Sequence, residues 1–416
     1  MPFNNNHNKY LFQCVNCGRQ YSSTEVQYLC PQCAAENTPG LPPKGVLKTV
    51  YRYDLLRERG VDFSSLANSG FIDLLPLKSL DSMPYLRVGQ TPFYKIGKLN
   101  DMGLDFNLFL KDDGQNPTFS FKDRASALVS AYAKEHHQST IVAASTGNAG
   151  SSLAGICAAQ RQKAIIMVPQ SAPLAKLTQI MMYGATIVPV AGTYDDAFDL
   201  SMAATEKFGW YNRNTAFNPM TIEGKKTVAF ELFAQMNAHI PNRIFVPVGD
   251  GVIISGVYKG FEDLLKLGII NKIPVIVAVQ SEGSDNLVRN LNNDAFEVKV
   301  SHTLADSISV DVPRNYFMAA QYLKKYQGEW LSVSDDKIME ASSVLAKNTG
   351  IFSEPAAATA FAGLLQYREN RQLEPDSDNV VLLTGSGLKD VNTVSSRLKL
   401  PKVIKPELSE LEKLLQ

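Results

Sequence analysis

Six short runs, at positions 140–144, 164–168, 186–190, 244–248, 275–279 and 380–383, are apolar almost throughout instead of alternating with polar residues. A strand with one wet face alternates, whereas a strand covered on both faces tolerates apolar side chains at every position. Small residues or proline follow most of the runs, and longer helical patterns separate them. The pattern predicts βαβ units around parallel sheet, and therefore an α/β fold. Ligands of such sheets lie beyond the carboxyl ends of the strands, so the residues just after each run are the functional candidates.

Three of those strand ends carry small and hydroxylated residues. Ser145-Thr146-Gly147-Asn148-Ala149-Gly150 follows the first run and leads into a helical pattern at 151–160. A strand, a small-residue turn and a helix N-terminus together present free N–H groups and a positive dipole end to a carboxylate or phosphate. The plainer alternative is a βα turn with Asn148 as the helix cap. Gly249-Asp250-Gly251-Val252-Ile253, after 244–248, works by the same physics. It lacks the third glycine, and the acidic residue about 20 positions further on, that a dinucleotide site needs. At Thr384-Gly385-Ser386-Gly387 a hydroxyl stands where it can bond a ring nitrogen or merely close a turn.

Lys122 ends the segment Asn116-Pro117-Thr118-Phe119-Ser120-Phe121-Lys122 and opens a helical run of small residues, Ala125, Ser126 and Ala127. An ammonium near the positive end of a helix dipole has reason to be less basic, which suits Schiff-base chemistry. Taken alone, a lysine is more often a solvated surface residue.

The motifs taken in order, Asn116 to Arg124, Ala144 to Gly150, the loop at Gly249, then Glu354-Pro355-Ala356, and Thr384 to Asp390, resemble the threonine-synthase family of fold-type-II pyridoxal-phosphate enzymes. The resemblance implies a tryptophan-synthase-β-like fold, two open parallel-sheet α/β domains with pyridoxal 5′-phosphate in the cleft between them. It implies Lys122 as the cofactor-bearing lysine and general acid/base, Asn148 beside the pyridoxal 3′-oxygen, and Ser145, Thr146 and Gly147 on the substrate carboxylate. Gly249, Asp250, Gly251, Val252 and Ile253 would wrap the cofactor phosphate, and Thr384 would bond the pyridine nitrogen. A hydroxyl there leaves that nitrogen neutral, which accompanies elimination and replacement rather than transamination. The implied reaction converts O-phospho-L-homoserine and water to L-threonine and phosphate. Replacement at Cβ of O-phosphoserine, and threonine or serine dehydration, are alternatives on the same scaffold. A homodimer is the family's habit.

Three positions depart from the family pattern. Asp250 stands where familiar members have Asn, and a carboxylate beside a phosphate is unfavourable unless its side chain turns away. Phe119 stands where a small residue is usual. The stretch Thr215 to Thr221 lacks the arginine that some members place near the substrate phosphate, leaving Arg124, Lys225 and Lys226 as candidate substitutes.

Independently of the resemblance, Cys14-Val15-Asn16-Cys17 and Cys30-Pro31-Gln32-Cys33 form a CxxC pair of pairs. Two such knuckles supply four thiolates to a tetrahedral, structural zinc ion with no open position. A breaker-rich strip at 38–45 reads as a linker. The expected organisation is a zinc ribbon at residues 1–40, a large cofactor-binding domain at 41–124 and 221–400, a small mobile domain at 125–220 and a helical tail at 401–416.

Charge balance, 41 Lys+Arg against 41 Asp+Glu, argues against a nucleic-acid binder, and the ribbon's only cations between Lys9 and Glu36 are Lys9 and Arg19. The first ten residues are polar, and the chain nowhere holds about 18 uninterrupted apolar residues. These features, with clustered cysteines, point to the cytoplasm and to no membrane partner. Cys157, in an Ala-rich helical stretch without flanking cations, reads as a core thiol. The five histidines show no ligand spacing.

Overall fold

The computed structural model describes residues 9–398, 401 and 403–415; the first eight residues, His7 included, lie outside them. β1 (Tyr10–Cys14), β2 (Gln20–Tyr21) and β3 (Leu47–Tyr51) form a small antiparallel sheet in the order β2-β1-β3. Strand pairing at the N-terminus therefore runs on past residue 40. β4 (Phe93–Leu99) and β5 (Met102–Asp112) are an antiparallel hairpin. Its two turn residues, Asn100 and Asp101, have φ of 50° and 61°, the left-handed pair that matches strand twist.

β6 (Thr140–Ala144), β7 (Lys163–Pro169), β8 (Thr186–Val190) and β9 (Tyr211–Asn212) make a parallel sheet in the order β8-β7-β6-β9. β10 (Arg243–Pro247), β11 (Val275–Ser281), β12 (Glu329–Val333) and β13 (Asp378–Leu383) join the hairpin in a six-stranded sheet, β12-β11-β10-β13-β5-β4. All six strands predicted from apolar runs are present and parallel. β4 alone runs antiparallel in the large sheet, at its edge, as is common where an α/β sheet ends in a hairpin.

Helices cover both faces of the large sheet. The Val252–Leu267 and Thr227–Gln235 helices pack on one face with Ile244, Val246, Ile276 and Val380. The Asp335–Thr349 and Pro355–Glu369 helices bury the alternate residues Phe245, Val277, Val279 and Val381 on the other. Double coverage is why these strands carry no polar alternation. Cys157 is fully buried between the Asn148–Gln160 helix and its sheet, and burial pushes its thiol up to about 12, as a core thiol requires. The tail forms the amphipathic helix Leu408–Leu415, but it buries none of its leucines, so it does not pack on its own domain as such tails commonly do. No helix among the described residues is long and apolar enough to cross a membrane.

Candidate active site

Lys122 and Thr384 are neighbours because the chain pairs there outside any sheet. The Phe121 N–H donates to the Thr384 carbonyl (2.9 Å), Ser120 and Gly385 form an antiparallel bridge, and the Ser386 N–H donates to the Phe119 carbonyl (3.1 Å). Thr384 directly follows β13, and Lys122 is the first residue of the Lys122–Glu135 helix. The Lys122 amine has no hydrogen bond or ion pair among the described residues. Desolvation lowers it from the usual lysine range; the charge of Glu354 opposes that shift, while Arg213 reinforces it. The Thr384 hydroxyl likewise has no hydrogen-bond partner among the described residues, although the residue is nearly fully buried.

Two helix N-termini complete the floor of the site. After β10 the chain turns through Gly251 at φ 83°, a left-handed position that a glycine occupies without strain, into the Val252–Leu267 helix. After β6 it turns through Gly147 into the Asn148–Gln160 helix. Neither helix has a side-chain cap, so their first N–H groups are left for a ligand. Asn148 is therefore the first helical residue and not the cap. Its amide donates to both Glu354 oxygens (2.9 and 3.1 Å) and to Ser307 Oγ (3.2 Å). Ser145, Thr146 and Gly147 lie half-buried just before it.

An amine without a counter-ion, a buried hydroxyl without a partner and two uncapped helix N-termini fit a ligand bearing a carbonyl, a ring nitrogen and a phosphate. The comparisons with known proteins agree: residues 85–385 match the family described as "Pyridoxal-phosphate dependent enzyme". The chain belongs to that family.

Within the family, the threonine synthase of Methanocaldococcus jannaschii is 32% identical over 98% of this chain and 99% of its own length. That of Methanosarcina acetivorans is 31% identical over 95% and 96%. Among solved structures, threonine deaminase isoform 2 of Solanum lycopersicum superposes with a TM-score of 0.66 at 23% identity, covering 81% of this chain and 93% of that one. Maize serine racemase follows at 0.65 and 21%, covering 81% and 96%. These structures share the fold-type-II architecture with this family member.

The departures noted in the sequence have local explanations. Asp250 has partners of its own: Oδ1 accepts from the Arg314 N–H (3.2 Å), its carbonyl accepts from the Asn315 N–H (3.0 Å), and its charge is felt by Lys122 and Lys225. Phe119 has φ of 69°, the left-handed region in which a side chain is strained and glycine is not, and its ring is partly exposed.

Of the three candidate phosphate cations, the structure commits two elsewhere. Arg124 is buried in a bidentate pair with Asp113 (Nε to Oδ2, 2.6 Å; Nη2 to Oδ1, 3.0 Å) and a second pair with Glu231 (2.6 and 2.8 Å). Lys226 is buried against Glu223 (2.5 Å) and Asp263 (2.8 Å), beneath the Tyr51 ring. Lys225 alone is left: it is 1% exposed and makes no hydrogen bond or ion pair among the described residues. Desolvation depresses its ammonium strongly, and the like charges of Arg213 and Lys122 add to the shift.

Arg213, which sequence reasoning missed, is the second free cation. It is 1% exposed and follows β9, held by Ser126 Oγ (3.3 Å) and Thr215 Oγ1 (2.9 Å), with its Nη2 unsatisfied. A buried guanidinium nitrogen without an acceptor costs about 1–3 kcal/mol, which a bound anion would recover. Glu354 also went without a role in the sequence. It is buried, accepts from Asn148, and leaves so little room that a Cβ at Gly385 would lie 2.4 Å from its Oε1. The only sequence signal for it was its place in Glu354-Pro355-Ala356.

The Arg124 network anchors the start of the Lys122 helix and has a pH signature. Burial alone would raise the Glu231 carboxyl, but Arg124 and Lys111 hold it down at about 2, against 4.5 for a free glutamate. Its stabilisation is complete above pH 4.5 and is lost as pH falls from there toward 2, an effect on the order of 3 kcal/mol. Melting temperatures measured between pH 5 and 3 are expected to fall, and to fall less in Glu231→Gln; equal slopes would refute the assignment.

Near the N-terminus, Cys14, Cys17, Cys30 and Cys33 bring their sulfurs within 4.8 Å of one another. The Cys14–Cys33 and Cys17–Cys30 separations are 3.7 and 3.8 Å. A tetrahedron with metal–sulfur bonds of about 2.3 Å has edges of about 3.8 Å, so the donor set fits zinc.

Proposed function

We propose that this enzyme is a threonine synthase that converts O-phospho-L-homoserine and water to L-threonine and phosphate. The observation that carries the substrate is the pair of buried cations with no carboxylate partner among the described residues, Arg213, whose Nη2 is unsatisfied, and Lys225, both of which lower the Lys122 amine or are lowered by it. A buried guanidinium without a carboxylate partner, beside an amine that a bound anion would re-protonate, favours a dianionic leaving group over a hydroxyl, and so disfavours threonine or serine dehydration.

When bound, pyridoxal phosphate supplies the electron sink that makes the hydrogens near the substrate's amino group removable. The first N–H groups of the Val252–Leu267 helix, with Gly249 to Ile253, hold the cofactor's phosphate, and Thr384 meets its ring nitrogen with a neutral hydroxyl. Asn148, oriented by Glu354, stands at the ring's oxygen, and Ser145, Thr146 and Gly147 bind the substrate carboxylate. Lys122, less basic than a free lysine, takes protons from Cα and Cβ. Phosphate leaves Cγ with the bonding electrons, drawn by Arg213 and Lys225. Lys122 returns protons to Cγ and Cα, and water delivers its hydroxyl to Cβ.

The unit at residues 125–220 is the part that closes on the substrate. Its bridges to the rest include the exposed pairs Arg314–Asp195 (2.5 Å) and Lys176–Asp306 (2.7 Å), each worth about 0–1 kcal/mol and easily broken. The four cysteines hold a structural zinc ion, and the clustering of reduced thiols suits the cytoplasm. Stripping the metal with a chelator is expected to lower the melting temperature by more than about 10 °C, reversibly on adding zinc. No shift, with no zinc in the purified protein by elemental analysis, would exclude the metal.

The reaction is tested by incubating the holoenzyme separately with phosphohomoserine, phosphoserine and threonine. L-Threonine and phosphate from the first substrate are expected. Phosphate release from phosphoserine alone would replace this reading with β-replacement.

A further inference from the structure

The arm carrying Arg213 continues directly from an edge strand, β9, and edge strands keep a row of unpaired backbone groups. β9 pairs with β6 on one side only, through Ile141↔Tyr211 and Val142↔Asn212. On that inner side Asn214 continues the contact: its Oδ1 accepts from the N–H of Ala144, the residue just before Ser145. The outer side is not left to solvent. The Asn212 N–H donates to the hydroxyl of Tyr28 (2.9 Å), and the Tyr28 ring stacks on Phe217 at 4.4 Å and 18°. Asn212 and Phe217 bracket Arg213, so one side chain from the cysteine module grips the arm before and after the cation.

Tyr28 is itself fixed by that module. It lies two residues before Cys30, next to the Leu29↔Val46 bridge, and the Cys30 N–H donates to the Gly45 carbonyl (2.8 Å). The module is also tied to the large domain, where the Gln321 amide donates to the Val15 carbonyl (3.0 Å) and Lys48 faces Glu262 at 3.6 Å. Tyr28 thus references the Arg213 arm, on the small sheet, to a body anchored on the large one.

We propose that Tyr28 is a positioning residue: through Asn212 and Phe217 it sets the Arg213 guanidinium at the substrate-phosphate subsite, giving the N-terminal module a part in substrate binding. This rests on the assignment of Arg213 to the substrate phosphate. A guanidinium acts on phosphate by directed hydrogen bonds, so a small displacement of the arm costs binding while the cofactor, held by other elements, is unaffected.

The test uses full-length holoenzyme with Tyr28→Phe, which removes the acceptor, and Tyr28→Ala, which also removes the stack. KM for phosphohomoserine is expected to rise about 3-fold and about 10-fold, with kcat within about 2-fold and the cofactor absorbance unchanged, as loss of one neutral hydrogen bond and then an aromatic pair predicts. The dissociation constant of inorganic phosphate, measured by calorimetry, should weaken in parallel. In an Arg213→Gln background both effects should vanish. If Tyr28→Ala fails to fold, Tyr28→Phe carries the test. An unchanged KM in the tyrosine variants while Arg213→Gln raises it, or a Tyr28 effect that persists without Arg213, would overturn the positioning role. A silent Arg213→Gln would instead remove the phosphate assignment, and the positioning role with it.

Discussion

Lys122→Ala is expected to lower phosphate release from phosphohomoserine by at least about 10⁴-fold, since it removes both the cofactor's anchor and the proton carrier. The same variant should lose the visible absorbance of protein-bound cofactor, while its melting temperature stays near that of the wild type. The structural cost is small because the amine makes no hydrogen bond or ion pair among the described residues. Retention of the band together with substantial turnover would show that another lysine does the work. Lys225 is the natural rival, since it too is buried and depressed, and Lys225→Ala under the same assay separates them.

The second large effect belongs to the cations proposed for the substrate phosphate. Arg213→Gln removes a buried charge from a desolvated site and is expected to cut kcat/KM for phosphohomoserine by about 10²- to 10³-fold, the scale on which unpaired buried charge partners are penalised. The loss should sit mainly in KM, and inorganic phosphate should cease to inhibit. Lys225→Gln is expected to act in the same direction. If Lys225→Gln instead weakens cofactor retention and leaves KM alone, Lys225 serves the cofactor phosphate beside Asp250, whose charge it feels.

What could be read in the sequence follows from burial. β6, β7, β8, β10, β11 and β13 were legible because in most of them nearly every residue is apolar and turned into a covered core. β5 was not, because its first four residues are mostly exposed and buried positions then alternate with half-buried ones, so no continuous apolar run stands out. β12 was hidden because it is mostly half-buried, and β9 because it is only two residues long, although both of those are buried. The candidate cofactor residues stood out because they occupy strand ends with unusual small-residue chemistry. The proposed phosphate cations were harder to single out, with Lys225 one of three candidates and Arg213 not among them, because such a role depends on which way neighbouring side chains turn. Lys225 and Lys226 are adjacent, and successive helical residues point about 100° apart. One therefore meets Glu223 and Asp263, while the other faces Arg213 and Lys122. Arg213 follows an edge strand too short to predict, and nothing in its own sequence shows that its Nη2 is left without an acceptor.

The backbone pairing of Phe121 with Thr384 also sets when the enzyme can become an enzyme. β13 inserts between β10 and β5, so β5 gains its one parallel neighbour among the described residues from the last of the described strands to be synthesised. Until the ribosome has delivered that strand, the loop before Lys122 has nothing to pair with, although its helix and the whole small sheet are already made. Catalytic competence is therefore a late, long-range event, and slow by the general rule that distant contacts form slowly. A nascent chain cut short before β13 would be an assembled small domain beside an open sheet edge, exposed to aggregation and unable to hold its cofactor.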